Sequence, residues 1–282
     1  MNIFITILIF VAILLLYLHF MNEFKYVKEL MVYDVEYTNR NELQKICELR
    51  QPFVFELNLL SEDNINKEQN MCVFDNKDNE FIQMSYVSLE DLFDKDTDGV
   101  YYSMKNQDFA KNELPMVFSE FNNYVNPYFS YNTSYDVLLG SSNSYTSLTQ
   151  MRESDLFLFV KNGSIDVKMM TYNKDLDLTG LCLWNKTDAE KYNVTDVHLA
   201  STCVLHIPSW CLYTIRFNKN ALVYSITHQT PTNIMVNTPN YCVNLLQEHN
   251  TEEKVLKTIV FPKNECEESD VSGNTIPIIE DI

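Results

Sequence analysis

The sequence predicts a mainly β domain with some helices, preceded by an apolar N-terminal helix. Residues 3–20 form a nearly unbroken apolar run, and from residue 136 onward short apolar segments alternate with polar turns. The second pattern is typical of a β-sandwich or barrel. The composition agrees, because the chain of 282 residues has 17 Tyr and 17 Phe but only 5 Gly. Such bulky side chains suit a β-rich core better than a glycine-rich nucleotide-binding sheet.

The apolar run predicts an uncleaved, single-pass membrane anchor in residues 1–22. Its helix would span about 27 Å, close to the thickness of the hydrocarbon core of a bilayer. A cleaved signal peptide needs a basic start and a small-residue cleavage site, whereas nothing basic precedes this run and bulky Tyr17 and Phe20 close it. The lysines that follow, Lys25 and Lys28, favour a cytoplasmic side for the rest of the chain.

Four glycosylation sequons, at Asn132, Asn162, Asn185 and Asn193, would fit the opposite side of the membrane. A chain this rich in Asn, Ser and Thr carries roughly four sequons by chance, so they decide nothing. The sequence therefore predicts a membrane protein anchored through residues 3–20 and leaves the side of its large domain open.

The sequence of residues 23–135 predicts an N-terminal α/β annex to the β-rich domain that follows. The expected strands are 31–37, 53–57 and 71–74. A helix over residues 39–49 ends before Pro52. A second short helix is expected to begin at Ser88 as its N-cap. A third has Phe118, Phe121, Tyr124 and Val125 on one face.

Residues 136–245 predict the barrel core, and 246–282 predict a helix or strand followed by an acidic tail. The apolar segments of the core are 136–139, 146–151, 155–160, 164–172, 179–184, 203–207, 211–217, 221–227 and 233–237. Beyond them, residues 241–249 predict a helix and 256–261 a strand. The tail holds Glu265-Cys-Glu-Glu-Ser-Asp270, which predicts a loose terminus.

Charge and cysteine usage exclude some classes of function. A formal net charge of −18 repels phosphates, so the sequence predicts no nucleic-acid partner. The seven cysteines are odd in number and contain no Cys-x-x-Cys pair, which predicts no zinc site. Cys211 next to Trp210 could be a thiol nucleophile, but a buried strand cysteine is the favoured interpretation.

A set of motifs occurs in an order that resembles one known family. The motifs are Gln51-Pro-Phe-Val-Phe55, Tyr101-Tyr-Ser-Met-Lys-Asn106-Gln-Asp-Phe109, Val137-Leu-Leu-Gly140, Ser144-Tyr-Thr146-Ser-Leu148, Gly163 at a hairpin and Ile207-Pro-Ser-Trp210 at a turn. Together they resemble the cupin-like, jumonji-C-type domain of the factor-inhibiting-HIF class over residues 31–245. The resemblance implies a double-stranded β-helix, or jelly-roll, barrel.

The same resemblance implies an iron site whose residues are replaced here. Active members hold Fe(II) with two His and one carboxylate and pair a Lys with 2-oxoglutarate. The resemblance places the first His and the carboxylate at Thr149 and Met151, the second His at Leu212 and the Lys at Ile165. None of the four offers the required chemistry, so the sequence predicts no metal, no cofactor and no catalytic residue at these positions.

The favoured interpretation is a membrane-anchored, degenerate cupin-like protein that acts as a binding or structural scaffold for an unknown partner. Its high Asn, Tyr and Phe content would suit a viral membrane or virion protein. The alternative is an active Fe(II)/2-oxoglutarate oxygenase or metal-binding cupin with relocated ligands. Candidates for those ligands are His198, His206 and His228, together with Asp136 or Asp155. Small-molecule binding in the old pocket without chemistry is a third possibility.

Overall fold

The computed structural model describes residues 2–23, 27, 29–61, 68–78, 80–172, 181–218, 221–238 and 242. Within the first helix it describes the side chains of residues 3–17 and 21. The predicted strand at 256–261, the acidic tail and all but Cys242 of the predicted helix at 241–249 lie outside this part of the chain. Residues 179 and 180 of the predicted strand at 179–184 also lie outside it.

Helices and short strands alternate in the first half of the chain, and strands dominate the second. The helices are α1 (Asn2–Glu23), α2 (Arg40–Cys47), α3 (Tyr86–Lys95), α4 (Gln107–Glu113), α5 (Pro115–Val125) and α6 (Lys186–Lys191). The strands are β1 (Tyr33–Asp34), β2 (Phe53–Glu56), β3 (Asn70–Asp75), β4 (Glu80–Ser85), β5 (Tyr101–Ser103), β6 (Asn132–Gly140), β7 (Thr149–Gln150), β8 (Asp155–Asn162), β9 (Ser164–Thr171), β10 (Thr195–Ala200), β11 (Cys203–Pro208), β12 (Cys211–Phe217) and β13 (Leu222–Gln229).

The strands form two sheets whose order is that of a jelly roll. The large sheet runs β1-β2-β11-β8-β13-β6-β5-β3-β4 and the small sheet β10-β9-β12-β7. Counted from β6 to β13, the eight core strands pair as 1-8-3-6 in one sheet and 2-7-4-5 in the other, and every one of these pairs is antiparallel. Two packed antiparallel sheets with this winding make a double-stranded β-helix. The fold is therefore mainly β with helices and cupin-like in its strand order.

Strands from the predicted annex extend the large sheet on both sides. β5 pairs with β6, and β2 pairs with β11. The predicted boundary at residue 135 therefore does not divide the large sheet, because residues 23–135 and residues 136–245 both contribute neighbouring strands to it.

Three apolar clusters lie on the four faces of these sheets. The first fills the space between one face of the large sheet and helices α2 to α5, and its members include Leu43, Phe55, Phe118, Phe157 and Tyr224. The second fills the barrel interior between the two sheets, with Leu158, Ile165, Val167, Leu205 and Phe217 among its members. The third, Met170, Leu183 and Leu212, covers the outer face of the small sheet.

Several predicted elements are confirmed and others need correction. Asn39 caps α2 by accepting a hydrogen bond from the Glu42 amide, so that helix begins as expected. Helix α3 begins earlier than predicted, because its N-cap is Ser85, whose hydroxyl accepts from the Ser88 amide. The strand predicted at 233–237 is wrong, since residues 231–238 are helical. Strand β10 was not predicted.

Helix α1 covers the apolar N-terminal run. Its described side chains are exposed, with Ile3 at 78% and Phe10 at 64% of their full accessible surface. Among the residues that the structure describes, no helix is long and apolar enough to cross a membrane.

Gly140 lies where the barrel wall meets an aromatic ring. A Cβ at this position would lie 2.2 Å from Cδ2 and 2.4 Å from Cγ of Phe217, and 2.6 Å from the Ser144 hydroxyl oxygen. Real Cβ atoms do not approach other atoms this closely. The glycine that ends the Val137-Leu-Leu-Gly140 motif is therefore required by packing against Phe217.

The outer face of the small sheet carries one of the two tryptophans. The Trp184 ring lies 4.7 Å from the Lys168 ammonium and 4.1 Å from the Arg216 guanidinium, and its indole N–H donates to the Thr214 hydroxyl. Cation–π contacts of this kind fasten residues 181–185 to the sheet. Trp210 occupies the turn between β11 and β12 with a positive φ of 66°.

Candidate functional site

The predicted iron-site positions lie on two neighbouring strands of the small sheet. Thr149 of β7 is opposite Tyr213 of β12, and Gln150 is opposite Leu212. Opposed residues of an antiparallel pair share a face, and successive residues alternate between faces. Thr149 and Tyr213 therefore face the barrel interior together.

Met151 follows β7 and belongs to the interior cluster. It is 2% exposed and packs with the apolar side chains between the sheets. Its amide N–H donates to the Cys211 carbonyl at 2.7 Å, and its carbonyl accepts from the Trp210 amide at 2.9 Å. The turn at Trp210 thus holds Met151 against the start of β12.

Leu212 faces away from Thr149 and Met151, which corrects its predicted assignment. Its side chain packs with Met170 and Leu183 on the outer face of the small sheet. The interior position beside Thr149 belongs to Tyr213, one residue later. The error is a shift of one residue, which moves a strand side chain to the opposite face.

Ile165 does lie inside the barrel, at the position where the resemblance implies a lysine. It is fully buried and stands between Leu199 and Phe217 on the neighbouring strands. Lys168 is on the opposite face of β9, where its ammonium contacts Trp184 and lies 4.0 Å from the Asp196 carboxylate. Among the described residues of β9, no cation points inward.

These interior residues do not fit Fe(II) and 2-oxoglutarate. Hard Fe(II) is held by imidazole and carboxylate donors, whereas the interior offers the Thr149 hydroxyl, the Met151 thioether and the Tyr213 phenol. Burial raises the pKa of Tyr213, and the charges on Glu153 and Asp136 raise it further. The phenol is therefore held neutral, which is unfavourable for binding a cation.

Asp136 is the acidic group of β6 on the barrel side. It lies opposite Ser225, and its carboxylate accepts from the amides of Asn106 at 2.6 Å, Val137 at 2.8 Å and Lys105 at 2.9 Å. Burial raises its pKa to about 6, against the opposing effect of these hydrogen bonds. Three amide donors from two chain segments give Asp136 a structural role at the junction of β5, α4 and β6.

A second group of chemically active side chains lies on the opposite face of the large sheet, below the helices. Potential ligand atoms of Cys47, Asp155 and His206 all lie within 4.8 Å of one another. Cys47 ends α2, Asp155 begins β8 and His206 lies on β11. His206 and Asp155 are among the sequence candidates, and the structure brings them together with a cysteine that sequence reasoning did not single out.

His206 is the most buried member of this cluster. Its ring lies between Phe53 and Phe157, with centroid distances of 4.5 Å and 4.9 Å. Its Nε2 lies 2.8 Å from an Asp155 carboxylate oxygen, and its Nδ1 lies 3.3 Å from the Gln51 carbonyl. Both ring nitrogens and the plane of the ring are therefore fixed.

Cys47 and His228 complete the surroundings of Asp155. Burial, and then the Asp155 charge, raise the pKa of the Cys47 thiol well above its usual value. His228 stands opposite Asp155 on β13. Its Nε2 lies 2.9 Å from the Asn122 amide oxygen. Burial lowers its pKa to about 4, so this imidazole is neutral at physiological pH.

A groove of about 850 Å³ gives access to this cluster from solvent. Its walls come from α2, the 127–129 segment and the ends of β8 and β11, and its lining includes Cys47, Asp155, Arg40, Tyr128 and Pro208. The cluster is therefore buried at one end and reachable at the other.

The remaining sequence candidates lie apart from both places. His198 is exposed on β10 and pairs with Asp166 at 2.6 Å on the small sheet. Cys211 is buried in the barrel, and burial raises its thiol pKa to about 12. A thiol with that pKa is unreactive at neutral pH, so the nucleophile interpretation has no support.

Comparisons with known proteins bear on the fold alone. No protein-family model matches the chain, and no curated protein matches it. Among solved structures, the chain is similar to YcfD, a ribosomal oxygenase from Escherichia coli. The complex with cobalt and succinic acid aligns with a TM-score of 0.42 and 13% identity, over 78% of this chain and 59% of that one. The complex with cobalt and 2-oxoglutarate aligns with a TM-score of 0.43 and 12% identity, over 82% of this chain and 59% of that one.

The chain thus spans about three fifths of the length of these structures. At this identity and these TM-scores the similarity adds nothing to the strand order, which by itself defines the jelly roll.

Proposed function

We propose that this chain is a membrane-anchored, cupin-like protein that lacks a competent Fe(II)/2-oxoglutarate site and acts as a binding or structural scaffold. The observation that supports the proposal is the content of the barrel where the resemblance implies an iron site. Thr149, Met151 and Tyr213 face inward there, and Ile165 lies where the resemblance implies the lysine that pairs with 2-oxoglutarate.

The packing of the barrel interior supports the proposal, in addition to the identity of its residues. Met151 and Ile165 are nearly or fully buried among apolar neighbours of both sheets. Protein interiors are close-packed, so a metal and a dicarboxylate need space that these side chains already fill. Apolar packing at these two positions makes the barrel a rigid frame for the surfaces around it. Fold similarity to oxygenases does not supply their activity.

The test is turnover of 2-oxoglutarate. The full chain, purified in detergent, is incubated with Fe(II), ascorbate and 2-oxoglutarate, and succinate is measured by mass spectrometry. We expect no succinate above a protein-free control, because the described residues of the barrel interior offer no imidazole–carboxylate set. Succinate formation that needs both iron and the folded chain would contradict the proposal and favour an oxygenase with relocated ligands.

A further inference from the structure

The cluster of Cys47, Asp155 and His206 combines three kinds of metal ligand. A thiolate, a carboxylate and an imidazole are the donor types found around Zn²⁺ in proteins. The thiol argues against Mg²⁺ and Ca²⁺, which prefer oxygen donors. All three ligand atoms lie within 4.8 Å of one another, so small adjustments would bring them to one ion.

The hydrogen bonds of His206 orient the ring for binding a cation. The Gln51 carbonyl, 3.3 Å from Nδ1, and the Asp155 carboxylate, 2.8 Å from Nε2, can both only accept. The contact between Nε2 and Asp155 therefore needs a proton or a cation between the two atoms, and a metal ion bound to both would supply it. A backbone carbonyl on the outer nitrogen is also the usual support for a metal-binding histidine.

His228 provides a second, independent observation beside the same carboxylate. It is fully buried, and its Nδ1 has no hydrogen-bond partner among the residues that the structure describes. Its Nε2 faces the Asn122 oxygen, so the proton lies there and Nδ1 keeps a lone pair. A buried polar atom without a partner destabilises the folded chain. A hydrated metal ion at Asp155 would offer this nitrogen a partner.

The groove above the cluster carries balanced charges, because its lining has three acidic side chains, Glu42, Glu48 and Asp155, and three basic ones, Arg40, Lys45 and Arg50. Attraction of a cation therefore comes from the ligands themselves and from the formal charge of −18 on the whole chain. A strongly negative chain raises the local concentration of cations.

We propose that Cys47, Asp155 and His206 bind one Zn²⁺ ion through Sγ, a carboxylate oxygen and Nε2. Three protein ligands leave the fourth tetrahedral position for water or a small ligand from the groove. The site lies on the helical side of the large sheet and is separate from the barrel interior. The zinc proposal can therefore be tested independently of the proposed function.

Co²⁺ is the probe, because a cobalt–thiolate bond gives a charge-transfer band in the near ultraviolet. Titration of the full chain in detergent should give this band at one Co²⁺ per chain, and Zn²⁺ should displace it. Cys47→Ser should abolish the band, and His206→Gln and Asp155→Asn should weaken binding by roughly 100-fold. Circular dichroism checks that each variant is folded.

Matched controls lie elsewhere in the chain. Cys72→Ser removes another partly buried free thiol, and His198→Gln removes the histidine of the other His–Asp pair. Both should leave the titration unchanged. A wild-type chain without the band, or a Cys47→Ser chain that keeps it, would overturn the proposal.

A measurement on the wild type alone covers variants that fail to fold. Zn²⁺ should slow alkylation of Cys47 by roughly tenfold, as followed by peptide mass spectrometry, because a metal-bound thiolate is withheld from the reagent. Cys72 and Cys203, also free and partly buried, should react at the same rate with and without Zn²⁺. Unchanged reactivity of Cys47, or equal slowing of all three, would contradict the site.

Discussion

At the scale of single residues, the buried carboxyl group of Asp136 makes the stability of the fold depend on pH. Its carboxylate accepts three backbone amide hydrogen bonds, yet burial still raises its pKa to about 6 from an ordinary 3.8. The folded state therefore binds a proton at Asp136 more tightly than the unfolded state does. The resulting stabilisation is complete below pH 4 and is lost as the pH rises through 6.

The Asp136→Asn variant tests this dependence. Because Asn does not titrate, we expect the free energy of unfolding of the wild type, relative to the variant, to fall by roughly 2 kcal/mol between pH 4 and pH 6.5. Urea denaturation at both pH values measures the difference. Asp91→Asn, at an exposed position of α3, is the control. A relative stability of Asp136→Asn that does not change with pH would refute the prediction.

The ligand cluster marks the limit of sequence reasoning at this scale. His206 and Asp155 are candidates from the sequence, but they are 51 residues apart, and Cys47 belongs to a distant helix. No short motif connects them, because their proximity is produced by the pairing of β8 with β11 and by the packing of α2. The three come together only in the folded chain.

At the scale of elements, the pairing of β7 with β12 decides which residues enter the barrel. The family resemblance places the second histidine at Leu212, but Leu212 and its neighbours are all apolar or aromatic. In such a run the pattern does not distinguish the inward face from the outward one. The hydrogen-bonded register makes Tyr213 the inward residue.

Reintroduced ligands test this register. In a Cys47→Ser background, we expect the triple variant Thr149→His, Met151→Asp, Tyr213→His to bind Fe(II) at least roughly tenfold more tightly than the matched variant with Leu212→His as its third change. Anaerobic calorimetry measures both affinities. An Asp at buried position 151 costs about 2–4 kcal/mol, so folding is checked by circular dichroism. Equal affinities, or tighter binding by the Leu212→His variant, would contradict the register.

Two of the elements missed by the sequence pattern have physical explanations. In β10 only Val197 and Leu199 are buried and the other positions are partly or fully exposed, so too few apolar residues alternate to predict a strand. The run Ile234-Met-Val236 fits a strand or a helix equally. It is helical, and Asn233 and Asn237 on this helix both donate to the Arg152 carbonyl.

At the scale of the whole molecule, the sequence contains enough information for the class of fold. Alternating strands after residue 136 and the ordered motifs both lead to a jelly roll, and the two sheets have its winding. The extent of the large sheet could not be predicted, because β1 to β5 join it through pairings between distant segments. Such pairings depend on tertiary packing more than on local propensity.

Membrane anchoring through residues 3–20 remains a prediction at this scale. We expect the full chain, expressed in cells, to stay with the membrane pellet after alkaline carbonate extraction, and a chain without residues 3–20 to be released. The matched variant Leu14→Lys should weaken retention, since a lysine at the centre of a bilayer costs about 2.5–3.5 kcal/mol. Release of the full chain by carbonate would refute the anchor.

The positions of the two tryptophans make the small sheet optically distinguishable from the rest of the protein. Trp184 covers its outer face and Trp210 occupies the turn that leads into β12, while the large sheet and its helices contain none. Tryptophan emission therefore reports the small sheet and the turn that joins it to β11, whereas far-ultraviolet ellipticity reports every strand and helix. If the barrel unfolds as one cooperative unit, the two signals change together along a denaturant series. An earlier change in emission would identify the small sheet as the part that opens first.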